Sequence, residues 1–116
     1  MLSLPASTNV YLCTQPVDLR KGFDGLGALV QAVFHRNVLD GHLFLFVNRR
    51  RDRVKALWWD QDGLIIWYKR LERGRLELPG GGVEQGHVTL DATALAMLLG
   101  GVPLATPRRV RYSRAS

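Results

Sequence analysis

Arg49, Arg50, Arg51, Arg53 and Lys55 form a run of cations broken only by Asp52 and Val54. Guanidinium and ammonium groups at this density neutralise phosphates, and a two-stranded β-ribbon is one of the shapes that enter a DNA major groove. Lys69 and Arg70 extend the positive charge further along the chain. Trp59 and Tyr68 are interleaved with these cations, a combination that stacks bases while it holds the backbone. The competing reading is structural, because charged residues at a loop tip also keep sheets from pairing edge to edge. Long cationic side chains can equally lay their stems over a half-buried apolar surface.

Other chemistry is thinly represented. Cys13 lies in a β-prone run with none of His35, His42 and His87 nearby in sequence. The histidines show no close metal-ligand spacing. Asp60 and Asp62 bracket a turn and can hold a divalent ion in the manner of nuclease carboxylates, but the other acids of a calcium loop are missing and turn formation is the commoner role. The Gly80-Gly81-Gly82 run lacks the Gly-Lys-Ser/Thr of a phosphate-binding loop and is expected to be a flexible connector. No residue set makes an enzyme, and no metal or cofactor is expected.

The cations must be positioned by the stretch from Gly41 to Pro79. Its apolar runs, separated by polar breaks, read as an antiparallel meander. The first break carries the arginine tip; the second, Asp62-Gly63, is a strong hairpin signal. If Asp62 and Gly63 are the central turn residues, Trp58 pairs with Trp67; if Gln61 and Asp62 are central, it pairs with Ile65. Both registers give the same faces. Val54, Ala56, Trp58, Ile65, Trp67, Lys69 and Leu71 share a face that is core at its centre. Lys55, Leu57, Trp59, Leu64, Ile66, Tyr68 and Arg70 share the other, which is either the lesser-covered face or a partner surface.

Val10 to Cys13 can add an edge strand, and Arg75 to Leu78 a further short one before Pro79. Between Asp18 and Arg36 the apolar period becomes helical, through Phe23, Leu26, Val30, Val33 and Phe34, with Asp18 or Asp24 as N-cap. Gly22, Gly25 and Gly27 make its first turns irregular or tightly packed. Asn37 can cap its end. A second helix follows Thr89 or Asp91, with Ala92, Leu95, Ala96 and Leu99 as its apolar stripe. The expected fold is α+β: an antiparallel β-meander of about four or five strands packed with two helices. Residues 1–106 are expected to form a single domain, and residues 107–116 a basic, flexible tail.

The sequence has 116 residues and a formal charge of +6, of which Arg108, Arg109, Arg111 and Arg114 in the tail supply four. A basic tail and a basic hairpin tip favour an anionic partner, with nucleic acid ahead of membrane because no amphipathic apolar face accompanies the charge. A lone cysteine suits a reducing compartment, and neither a signal peptide nor a membrane span is visible, so a cytoplasmic protein is expected.

PVDLRKGFDGL, GHLFLFV followed by RRRDRVKALWWDQDGL, YKRLERGRLELP and the late DATALAMLLGG together resemble the TnpB-type accessory protein encoded beside the transposase in bacterial insertion sequences of the sixty-six family. The match runs nearly end to end. Leu19 stands where Met is usual, Ala56 and Leu57 vary an apolar pair, and Leu76 replaces a common Phe; none of these alters the charges. The resemblance implies a role in transposition beside a separate transposase that holds the catalytic acids. Among its motif positions, Arg20, Lys21, Arg50, Lys55, Lys69 and Arg70 have no evident core role and join the candidate site. The expected function is a non-catalytic accessory factor that binds element-end DNA through the basic hairpin, with the transposase of the same element as a further partner. The alternative is a protein adaptor that docks on the transposase without touching DNA, anchored by Trp59, Tyr68 and arginines. A monomer or weak dimer is expected.

Overall fold

The computed structural model describes residues 7–80 and 85–100. The strands are β1 (Val10–Cys13), β2 (Leu43–Val47), β3 (Arg53–Asp60), β4 (Gly63–Arg70) and β5 (His87–Leu90), joined by helices α1 (Phe23–Leu29) and α2 (Ala92–Gly100). They form a five-stranded sheet in the order β4-β3-β2-β1-β5, and the fold is α+β as expected. The β2–β3–β4 meander is antiparallel, and β5 is antiparallel to β1. β1 departs from expectation: it is no edge strand, but runs parallel to β2 with Val10 opposite Leu43. Parallel neighbours need a long crossover, which residues 14–42 supply with α1.

VYLC and LFLFV are buried at every position. Continuous apolar runs are what a sheet covered on both faces requires. On one face, Leu12, Leu43, Leu45, Val54 and Ala56 pack with Leu76 and Leu98, joined by Trp58, Trp67 and Leu71. On the other, Tyr11, Phe44, Phe46 and Leu57 pack beneath Val17, Leu19, Leu26, Val30 and Phe34, joined by Leu64 and Ile66. The mixed face of the hairpin is thus covered over its apolar centre, leaving its cationic end open.

Gln61 and Asp62 are the central turn residues, and Trp58 pairs with Ile65. This register sets the large Trp67 indole opposite small Ala56. Gly63 is a strand residue; the left-handed position falls on Gln61, at φ 60°.

The helices are displaced from expectation. Asp18 caps no helix, because α1 begins after Gly22 without a side-chain cap, and Asp24 lies inside its first turn. The end of α1 widens into a π-helical turn over Val30–Phe34, closed by His35 at φ 55°. Asn37 instead starts a short 3-10 turn, Val38–Asp40, through a reciprocal capping box. Phe23 is 48% exposed, so the buried stripe starts at Leu26. In α2, Asp91 is the cap, its Oδ1 accepting from Ala94 N–H at 2.7 Å, while Thr89 belongs to β5. Leu98 is the buried residue of α2, and Ala92 and Ala96 face solvent. Arg75 to Leu78 forms no strand; it crosses the sheet face as an irregular segment that buries Leu76. The expected connector at Gly81 and Gly82 and the tail from residue 107 lie outside the described residues.

Candidate nucleic-acid interface

The loop between β2 and β3 is closed by Asn48. Its side-chain oxygen accepts from the N–H groups of Asp52 and Arg53, each at 3.1 Å, and its amide donates to Asp52 Oδ1 at 2.7 Å. That last bond holds the Asp52 carboxyl below the usual carboxylate range. Arg51 takes φ 60° to complete the turn. Two backbone bonds then fasten the loop to the irregular segment behind it: Leu71 N–H to Asp52 C=O at 2.7 Å, and Leu76 N–H to Arg51 C=O at 2.6 Å. The arginine tip is therefore built into the body of the protein.

Residues 16–20 lie against this loop, because Val17 N–H donates to Val47 C=O at 3.0 Å and Val17 and Leu19 are buried. Lys55 makes a second tie, its Nζ donating to Lys21 C=O at 2.9 Å. Between the two segments opens a groove of about 740 Å³, bordered by Asp18, Arg20, Arg49, Arg50, Asp52, Arg53, Lys55 and Tyr68 among others. Five cations thus border it against two carboxylates.

Both carboxylates are engaged. Asp52 serves the loop, and Asp18 accepts from Arg20 N–H at 3.0 Å while its Oδ2 pairs with Arg20 Nη2 at 2.7 Å. The Arg20 hydrogen bonds bring the Asp18 carboxyl down to about 2. Among the described residues Arg49, Arg50 and Arg53 have no ion-pair partner within 4.0 Å.

Tyr68 stands at the groove 48% exposed. Arg53 Nη1 donates to its hydroxyl at 3.0 Å, and Lys55 Nζ lies 4.9 Å from the ring centroid. Arg53 also sits directly opposite Arg70 across the β3–β4 pair. Like charges so placed destabilise a hairpin unless an anion relieves them. Glu72 meets Arg70 at 3.3 Å, leaving Arg53 without a carboxylate.

The structure brings Arg20, Arg49, Arg50, Arg53, Lys55 and Tyr68 together and disperses the other candidates. Arg51 lines a smaller recess of about 220 Å³ with Gln15, Pro16 and Leu78, a recess that Arg49 also borders from the groove side. Arg70 flanks the groove. Lys21 is exposed and packs its stem against Gly25, where an added Cβ would meet Lys21 Cβ at 3.0 Å. Lys69 faces the other side of the sheet and donates to Leu99 C=O at 2.6 Å. Trp59 is half-buried near the far turn, four residues from Lys55, about 13 Å along the strand. Sequence reasoning missed Asn48 and Asp18 as organisers of the groove; the Asp-x-Arg spacing in DLR and the Asn-x-x-x-Asp spacing across the tip were the available signals.

Asp60 and Asp62 are exposed at the β3–β4 turn, and among the described residues no cluster of three or more His, Cys, Asp or Glu side chains is arranged to hold a metal ion. Burial pushes the Cys13 thiol up, partly offset by its hydrogen bond to Gln15 C=O. No helix among the described residues is long and apolar enough to cross a membrane.

No solved structure matches the chain. In Sinorhizobium fredii, the uncharacterized protein y4hO is 36% identical over 107 residues, covering 90% of this chain and 91% of its own. The uncharacterized protein y4jC of the same organism is 30% identical over 114 residues, covering 98% and 96%. The family model described as IS66 Orf2 like protein matches residues 8–109, and the chain belongs to that family.

Proposed function

We propose that this protein is a non-catalytic accessory factor of insertion-sequence transposition that binds DNA through the groove between residues 16–20 and the β2–β3 loop. Membership of the IS66 Orf2-like family carries the accessory role. The observation that favours DNA is the charge around the groove: five cations against two carboxylates, each carboxylate already held by a neighbouring side chain. Cations held this close repel one another, and a phosphodiester backbone relieves that repulsion while releasing its own counterions. Tyr68 adds an exposed aromatic surface within the same ring of charge.

The test is binding of the purified protein to labelled element-end DNA, as duplex and as single strand, and to scrambled counterparts of each across a salt series, using the full chain and a version ending at Thr106. Joint replacement of Arg49, Arg50 and Arg53 by Ala should abolish binding by the shortened version. In the full chain, where the tail keeps residual affinity, it should lower the log-log salt slope by nearly one per lost phosphate contact. Binding unaffected by the triple change would sink the groove as the site. No DNA binding at all, together with retention of the protein on its own transposase, would establish the adaptor role instead.

A further inference from the structure

Resting on that reading, we infer that the groove takes an unpaired stretch of DNA, with a base stacked on Tyr68 and the flanking phosphates held by Arg50, Arg53 and Lys55, and that it does not read intact duplex.

A β-ribbon that reads a major groove must project beyond its own domain, since the groove is only about 12 Å wide. The arginine loop does not project. The segment at 71–76 is bonded behind it, and residues 16–20 stand beside it through the Val17–Val47 bond. A loop backed and flanked in this way is not the free two-stranded ribbon that enters a major groove. The charge instead surrounds a concavity, whose volume lies within the roughly 300–1,000 Å³ of clefts that take small ligands.

Tyr68 identifies the ligand further. Its hydroxyl is engaged by Arg53 and Lys55 covers part of the ring, so the ring is fixed in orientation although the side chain is 48% exposed. A fixed, open aromatic ring beside guanidinium groups is a stacking platform for a base. In duplex DNA the base faces are already stacked on one another, so only an unpaired nucleotide can use it. The Arg53–Arg70 pair, facing each other across the hairpin on the Tyr68 face, adds positive charge beside the platform.

The experiment uses the full chain and the version ending at Thr106, with a short single strand carrying 2-aminopurine, the matching blunt duplex, and inorganic phosphate as competitor. The single strand should bind about tenfold more tightly than the duplex at equal salt, and 2-aminopurine fluorescence should fall as the base stacks. Tyr68→Leu should weaken single-strand binding by about tenfold and abolish the fall in 2-aminopurine fluorescence, with thermal stability nearly unchanged. Tyr68→Phe keeps the ring and should retain most of the affinity. Equal or tighter duplex binding, an ineffective Tyr68→Leu, or single-strand binding abolished by millimolar phosphate would each overturn the inference. Groove-dependent duplex binding would leave the DNA-binding reading standing, whereas binding of neither probe would remove both.

Discussion

Lys69 donates its ammonium to the carbonyl of Leu99 at 2.6 Å, although its neighbour Tyr68 lies in the groove on the opposite side of the sheet. Alternation along β4 therefore divides two adjacent family-motif residues between different tasks. Lys69 satisfies a carbonyl at the C-terminal end of α2, where positive charge is favoured. Lys69→Met keeps the apolar stem and should lower unfolding free energy by about 1 kcal/mol. DNA affinity should be unchanged. Denaturant unfolding and a binding isotherm on the same variant check both halves of this expectation.

Asp18 lowers the positive potential of the groove by pairing with Arg20. Asp18→Asn keeps an oxygen for the Arg20 N–H but removes the charge, so DNA should bind about two- to five-fold more tightly at low salt. The advantage should fade as salt rises. The same pair sets a pH dependence. The carboxyl sits at about 2, below its usual 3.8, so its contribution to stability is complete above about pH 4 and lost as pH falls towards 2. The Arg20 side chain is almost fully exposed and that of Asp18 about half, and the effect on stability is correspondingly small. Carbon-detected titration should place the Asp18 midpoint near 2 in the parent and closer to 3.8 in Arg20→Ala.

Glycines in α1 should respond unequally to alanine. Gly27 has nothing within 4 Å of an added Cβ, so Gly27→Ala should raise stability by up to about 1 kcal/mol. At Gly25 the new methyl meets the Lys21 stem at 3.0 Å, and Lys21 must move away from the segment that walls the groove. Gly25→Ala should therefore gain less stability, and thermal melts of the two variants give the comparison.

Arg51 holds a left-handed backbone that an L side chain adopts at a cost of about 1 kcal/mol. Arg51→Gly should recover part of that cost, and because Arg51 borders the smaller recess rather than the groove, single-strand binding should fall by no more than the loss of one distant charge. A loss as large as that of Arg53→Ala would show that Arg51 reaches the DNA. Parallel isotherms on the two variants make the distinction.

The meander was readable because its strands are adjacent in sequence and their side chains alternate; even the register was reduced to two choices, decided by the room Ala56 leaves for Trp67. β1 was harder to place. VYLC is buried on both faces, a property shared by parallel and antiparallel strands, and its partners lie far away in the chain. β5 was overlooked because HVTL is short and abuts the cap of α2. For the site, composition exposed the cations but not their placement: Arg51 sits at a left-handed turn beside the smaller recess, and strand alternation sets Lys69 on the opposite face from Tyr68. The opposing wall at 16–20 depends on the Val17–Val47 contact, a long-range pairing that local spacing does not encode.

The placement of β1 also bears on how the chain is made. Its other neighbour, β5, pairs Leu90 with Val10, so the earliest of the described strands is completed by the latest. The meander needs only short loops and can close early, whereas this pairing must close a loop through most of the described chain. A product interrupted before residue 87 would leave Val10–Cys13 as an unpaired apolar margin, open to association with other chains. Such a fragment would be prey to aggregation and proteolysis rather than a smaller working protein, so interruption upstream of β5 should eliminate the activity even though every groove residue had already been translated.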